Sequence, residues 1–232
     1  SQDYFANLYK FDKKLFNYLY ENYINLICEI FKNVGININT APVLDVRRHN
    51  THKIIGSRSF SKDHAKVTKL GKICINLHQK NKIGTVIKHI PGHGLSKNDT
   101  HYKTPIIDVS KKKLSNIDFK PFKSCSSKFA MTCHAIYSAY DSIETATHSK
   151  IIINDVIRKK INFNGILISD DISMKSLRYS LEKNAIKALS AGCNLVLHCN
   201  GNIREMYKLS KVIPNIDKFT KKKTSQFYKF LG

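Results

Sequence analysis

The chain is poor in acidic residues: 17 Asp and Glu stand against 39 Lys and Arg in 232 residues, a formal net charge of +22. An excess of that sign raises nucleic acid or an anionic surface as a partner. The lysines are scattered, however, as in Lys111-Lys112-Lys113 and Lys221-Lys222-Lys223, and do not alternate with aromatics along one face. The expectation is a compositional bias towards Lys, Asn and Ile, with no nucleic-acid partner. No apolar run approaches the ~18 residues of a membrane helix. No basic-then-apolar leader opens the sequence either, so no membrane partner is expected. The six cysteines, Cys28, Cys74, Cys125, Cys133, Cys193 and Cys199, contain no Cys-x-x-Cys pair, which removes the usual zinc and redox frameworks. Several lie in apolar segments, as buried reduced thiols do, and point to a cytoplasmic setting. No Gly-x-Gly-x-x-Gly turn follows the first strand-like run, which argues against a dinucleotide-binding sheet.

What is present is an alternation. Hydrophobic residues make up 42% of the chain, enough for a core in one large domain. Apolar residues recur at helical spacing from Phe11 to Val34 (Leu15, Leu19, Leu26, Ile30, Val34), and Gly35 is a stop signal. A strand-like run, Ala41-Pro42-Val43-Leu44-Asp45-Val46, follows. Then come a helix after Ser61 with Leu70, Ile73, Cys74 and Leu77 on one face, and a short buried strand, Thr85-Val86-Ile87. The pattern continues with a helix over 111–122, a strand over 129–133, a helix over 151–161, and a strand over 165–169. A helix over 177–191 closed by Gly192 and a strand over 194–198 complete it; the remainder is helical and basic. Strands alternating with helices imply an α/β fold with a parallel sheet covered by helices. Each strand ends in a polar residue: Asp45, His89, His134, Asp170, His198. Strand C-termini that share one chemically rich face fit a TIM-type (β/α)8 barrel. Only five strand–helix units are visible, so the expectation is a single partial barrel domain over residues 1–232.

Two clusters concentrate the chemistry. Lys88-His89-Ile90-Pro91-Gly92-His93-Gly94, followed by Asp99-Thr100-His101, places Lys88, His89, His93, Asp99 and His101 within fourteen residues. His89, His93, Asp99 and His101 have the residue types of a metal site, but their spacing matches no metal motif. Acid/base work is the alternative, because a carboxylate two residues from His101 can hold its tautomer and raise its pKa. The second cluster, Ser169-Asp170-Asp171, closes the apolar run Gly165-Ile166-Leu167-Ile168. One Asp at that position reads as a helix cap. Two leave one over, and Asp170, last on its strand, points into the barrel mouth while Asp171 points away or caps.

These blocks resemble the signature segments of family 3 glycoside hydrolases, and more narrowly the bacterial β-N-acetylglucosaminidases of peptidoglycan recycling. The loop from Lys88 to His101 is similar to the family's signature loop. Ala41–Val46, Ile55–Phe60, Gly165–Met174 and Ala191–Asn200 are similar to four further family blocks in family order. The resemblance implies a TIM-type barrel and a retaining, two-step hydrolysis of terminal β-linked N-acetylglucosamine from muropeptides. It implies Asp170 as nucleophile, His101 as acid/base with Asp99 as its partner, and Arg58, Lys88 and His89 as sugar-binding residues. It implies no metal and no organic cofactor. His93 is left as loop structure.

The departures are Ile90, where an aromatic is usual, Thr100, where a serine is usual, and the family's first three strands with their Asp-x-Glu-Gly-Gly segment, which have no counterpart here. The chain therefore resembles the C-terminal two-thirds of such an enzyme. Missing strands would leave apolar edges that invite aggregation and would remove part of the sugar site. The alternatives are a catalytically inactive remnant that binds carbohydrate or another protein, and a basic nucleic-acid-binding protein.

Overall fold

A computed structural model of the chain describes residues 1–96 and 104–232. Its frame is a five-stranded, all-parallel sheet built from β1 (Ile38–Asn39), β2 (Gly84–Ile90), β4 (Phe129–Thr132), β7 (Ile166–Asp171) and β8 (Leu195–Leu197), in that spatial order. Between them run α3 (His64–Lys80), a broken helical segment that ends in α5 (Lys120–Ser124), a widely wound π-helix (Ile152–Lys160) and α6 (Leu181–Ala191). Because all five strands run the same way, their C-terminal ends share one edge, and that edge gathers the polar residues.

Alternation along each strand explains the layering. Ile87, Ala130 and Leu167 face outward, in one core with Val67, Leu70 and Cys74 of α3 and Ile152, Ile153, Val156 and Ile157 of the π-helix. Their neighbours Val86, Phe129, Met131 and Ile166 face inward. The inner layer is completed from the end of the chain: α8 (Lys218–Leu231) sets Phe227 against it, with the Phe227 ring edge-on to Phe129 at 4.9 Å. The sheet is curled, as in a barrel, but does not close among the described residues; β1 and β8 are its outer strands.

The helix boundaries follow their caps. Ser149 Oγ accepts from Ile152 N at 3.1 Å, Asp63 caps α3 and Ser180 caps α6. Gly192 ends α6 at φ +119, a conformation that suits a residue without Cβ. The opening residues hold two helices, α1 (Gln2–Phe11) and α2 (Lys13–Asn33), separated by Asp12, which caps the second. The face of α2 that enters the core is Phe16, Tyr20, Ile24 and Cys28, whereas Leu15, Leu26, Ile30 and Val34 of the stripe read from the sequence are exposed. Both stripes are apolar, so periodicity alone does not rank them. The strand expected over 41–46 begins earlier, at Ile38, and rejoins β2 at Val43, which bridges Lys88. The Gln2 amide covers this outer edge: its Nε2 donates to Val43 O at 3.0 Å and its Oε1 accepts from Val43 N at 2.9 Å. That part of the edge, expected to be open, has its hydrogen bonds satisfied.

A second, small sheet of β3 (Ile106–Ile107), β5 (Ile136–Tyr137) and β6 (Asp141–Thr145) lies beside the C-terminal edge. β3 and β5 are too short for a periodic signal in the sequence, and β6 (Asp141-Ser142-Ile143-Glu144-Thr145) carries no apolar alternation. No described helix is long and apolar enough to cross a membrane.

Candidate active site

The C-terminal edge of the sheet opens on a cavity of about 430 Å³. Lys88 and His89 reach it from the end of β2, Asp170 and Asp171 from the end of β7, Met131 from β4 and Leu197 from β8; His93, Arg58 and Cys199 complete its polar lining. The structure thus brings together four of the six residues singled out from the sequence: Arg58, Lys88, His89 and Asp170. Asp99 and His101 lie outside the described residues.

Asp45 organises the base of the site. It is wholly buried. Its Oδ2 lies 2.7 Å from His89 Nδ1, and its Oδ1 accepts from the backbone N–H of His89 at 3.2 Å and of His93 at 2.6 Å. Burial acts to raise the Asp45 pKa, but the charge and hydrogen bond of His89 and the contacts with His93 outweigh it, and the carboxyl is held below its ordinary value. A carboxylate on Nδ1 leaves His89 Nε2 as the ring atom available to a ligand. Asp45 was visible in the sequence as a polar strand end, but nothing there connected it to residues 89 and 93.

His93 is not a solvated loop residue. It is buried, its ring stands edge-on to that of His89 at 5.7 Å, and it lines the cavity. Burial, then the neighbouring His89, push its pKa down to about 4 against the pull of Asp45 and Asp170, so the ring is neutral near pH 7. The loop that carries it is pinned on several sides. Tyr137 Oη donates to Gly92 O at 2.7 Å. At Gly94 a Cβ would stand 2.0 Å from Val46 O, so no larger residue fits without backbone movement.

Three histidines and one backbone N–H act on Asp170. Burial raises its pKa, but His89, His134, the N–H of Asp171 and His93 together bring it below the ordinary carboxylate value. It is therefore ionised at neutral pH. Asp171, expected to point away or to cap the following helix, instead lines the cavity and holds a turn: its Oδ1 accepts from Ser173 N at 3.0 Å and its Oδ2 from Ser173 Oγ at 2.8 Å, while Ser180 caps α6. Lys88 is half-buried; burial, then Arg58, lower its pKa, with Asp170, Asp45 and Cys199 opposing. Arg58 is exposed at the rim and donates from Nη1 to Ile54 O at 3.0 Å. The Cys199 thiol is pushed up by burial and by Asp171 and Asp170, which keeps it protonated and a poor nucleophile. His198, another polar strand end, turns away from the cavity and pairs with Glu205 at 2.7 Å.

The chemistry of this arrangement is that of an ionised carboxylate at a strand end, surrounded by cationic and imidazole donors with an apolar wall of Met131 and Leu197. Among the described residues no group of three or more His, Cys, Asp or Glu side chains is placed to hold a metal ion.

A family model described as the glycosyl hydrolase family 3 N-terminal domain matches residues 19–226. A curated β-hexosaminidase of Glaesserella parasuis serovar 5 is 36% identical over 173 residues, 72% of this chain and 50% of that protein. One from Haemophilus influenzae (strain Rd) is 38% identical over 174 residues, 72% of this chain and 48% of that protein. The chain spans about half the length of these curated relatives. Among solved structures, NagZ from Neisseria gonorrhoeae in complex with N-trifluoroacetyl-D-glucosamine superimposes with a TM-score of 0.86 at 22% identity, over 100% of this chain and 66% of that one. A family 3 β-N-acetylglucosaminidase from Paenibacillus sp. str. FPU-7 superimposes with a TM-score of 0.79 at 24% identity, over 89% of this chain and 42% of that one. At these identities the structural likeness is one of fold.

Proposed function

The chain belongs to glycosyl hydrolase family 3, and on that premise we propose that it serves the removal of terminal β-linked N-acetylglucosamine from cell-wall muropeptides, by a retaining mechanism with Asp170 as nucleophile. The observation that carries this reading is the ionised Asp170 carboxylate at the end of β7, in one cavity with Lys88, His89 and Arg58. In the first step an Asp170 oxygen attacks the anomeric carbon. The bond to the leaving oxygen breaks, and that oxygen takes a proton from the imidazolium of His101, which Asp99 orients. In the second step water attacks the same carbon and returns a proton to His101. The glycosyl ester breaks and the Asp170 carboxylate is regenerated. Lys88, His89 and Arg58 bind the hydroxyls and the N-acetyl group. The roles of His101 and Asp99 rest on the resemblance of Asp99-Thr100-His101 to the family's loop. A cytoplasmic setting agrees with six cysteines of which none is disulfide-bonded.

The test is hydrolysis of a chromogenic N-acetylglucosaminide. Asp170→Ala is expected to abolish turnover and glycosyl-enzyme formation. His101→Ala is expected to slow both steps, with the first rescued by a leaving group that needs no protonation. Unchanged turnover in Asp170→Ala would overturn the nucleophile assignment.

A second reading is favoured by one observation: the sheet has five strands and is open between β8 and β1 among the described residues. On it the chain binds the sugar without turning it over. Calorimetric binding of N-acetylglucosamine in the absence of hydrolysis would support that reading over the first.

A further inference from the structure

We propose that His134 is a positioning residue for Asp170, held in its Nε2–H tautomer by a one-way chain of hydrogen bonds that starts at Thr132; its catalytic meaning rests on Asp170 being the nucleophile. His134 follows β4 and is fully buried, as are Thr132 and Thr147. His134 Nε2 lies 2.9 Å from the carbonyl oxygen of Asp171. A carbonyl only accepts, so the proton sits on Nε2. The other ring nitrogen, Nδ1, lies 2.7 Å from Thr147 Oγ1. In the neutral ring Nδ1 accepts, and Thr147 gives it its single hydroxyl hydrogen. Thr147 Oγ1 is also 2.8 Å from Thr132 Oγ1, and that contact must then run from Thr132 to Thr147. The remaining acceptor near the Thr147 hydroxyl, Cys133 O, is further away, at 3.2 Å. It would take that hydrogen only if the ring were cationic. Burial disfavours the cation and lowers the His134 pKa, with Asp170 opposing.

The hydrogen-bond chain ends where the β4 side of the sheet stops holding β7. Ladder pairing of β7 with β4 ends at Met131↔Ile168, and pairing with β8 is irregular between Ile168 and Asp171. On the β8 side the sheet still holds the end of β7, through the pairing of Asp171 with Leu197 and the Ile172 N–H that donates to Leu197 O at 2.9 Å; on the β4 side side chains take over. His134 takes the carbonyl of Asp171, while the Asp171 N–H donates to Asp170 Oδ1 at 2.9 Å. The Asp171 carboxylate is occupied by Ser173, as above, and by the N–H of Cys199 at 3.3 Å. Residue 171 is thus fixed at its carbonyl, amide and carboxylate, and its amide sets the orientation of the Asp170 carboxylate. A strand end built this way presents the nucleophile without needing a continuous ladder.

The experiment is a long-range ¹H–¹⁵N correlation on the full labelled chain near neutral pH, with hydrogen exchange at the Asp171 amide. His134 should report a neutral ring protonated at Nε2. Thr147→Val, which keeps the shape and removes the hydroxyl, should shift the His134 ring resonances. His134→Leu should lose at least about tenfold in Asp171 amide protection, one unit of log scale or ~1.4 kcal/mol, while the Ile87 amide in β2 keeps its protection. His134→Gln, which restores a donor near the Nε2 position, should regain it. An Nδ1–H ring or an imidazolium in the unmodified chain would overturn the proposal, and this measurement decides it even if a variant fails to fold. Unchanged Asp171 protection in folded His134→Leu would overturn it too. So would undiminished turnover by His134→Leu in a chain whose turnover needs Asp170. Turnover that survives Asp170→Ala would overturn the nucleophile reading instead, leaving the tautomer and protection results to stand on their own.

Discussion

His89 Nδ1 lies 2.7 Å from Asp45 Oδ2, and both side chains are buried beneath the cavity. The other Asp45 oxygen takes the backbone N–H groups of His89 and His93. One carboxylate from the loop after β1 therefore holds both His89, at the end of β2, and His93, four residues on in the loop that follows.

Removing that carboxylate strands three donors in the interior. Asp45→Ala is expected to cost about 3–5 kcal/mol, the usual consequence of breaking a buried pair by deleting one partner. Asp45→Asn keeps an acceptor and should cost less. Urea unfolding of the two variants gives the comparison; equal losses would mean that packing, not hydrogen bonding, accounts for the effect.

The buried histidines give stability a definite pH dependence. His93 and His148 are both pushed down to about 4 from an ordinary 6.5, chiefly by burial. Between those values the unfolded chain binds protons that the folded chain refuses. Stability is full above pH 6.5 and is lost as pH falls towards 4, by about 3 kcal/mol for each ring. The depressed carboxyl of Asp45 works the same way at lower pH: its contribution is present above the ordinary carboxylate value and lost as pH falls through the folded one. Urea midpoints from pH 7 to pH 4 should trace this loss, and His93→Leu should flatten the upper part of the slope. A slope identical to that of the unmodified chain would remove His93 from the account.

Lys88 shares the cavity wall with Arg58 and Asp170, which act on its charge in opposite senses. Under the proposed function, Lys88→Met removes a charged hydrogen bond to the sugar and should weaken N-acetylglucosamine binding by about 10–100-fold, equivalent to about 1.5–3 kcal/mol. Calorimetry on the folded variant measures this directly. Binding within twofold of the unmodified chain would exclude Lys88 from the sugar site.

Phe227 completes the inner layer of the curled sheet from α8. Phe227→Ala is expected to destabilise the chain by about 3–5 kcal/mol and to expose Phe129 and Val86, read as increased binding of a hydrophobic dye. A loss below about 1 kcal/mol, the scale of an ordinary surface change, would mean that α8 is not part of the core.

The strands β2, β4, β7 and β8 were legible because each is a short apolar run ended by a polar residue, and α3 and α6 because their caps and periodicity agree. The buried face of α2 was not, since Leu15 and Leu26 lie on one apolar stripe and Phe16 and Tyr20 on another, and only the neighbouring elements select between them. The β3–β5–β6 sheet was missed because β3 and β5, at two residues each, have no period, and β6 has no apolar alternation. Arg58, Lys88, His89 and Asp170 were legible as motif residues. Asp45 and His134 were not, because their partners are 44 and 37 positions away in the chain.

The sequence by itself determined the chemical inventory of the strand ends, the parallel α/β pattern and the family, since these depend on residue type and local spacing. Only the tertiary structure decided which polar residues face one another: that Asp45 serves His89 and His93, that Asp171 shares the cavity with Asp170 while binding Ser173, and that α8 supplies part of the inner wall. Those pairings are set by parallel strands that bring distant C-terminal ends to one edge. Burial there shifts the pKa values, which residue type alone does not specify.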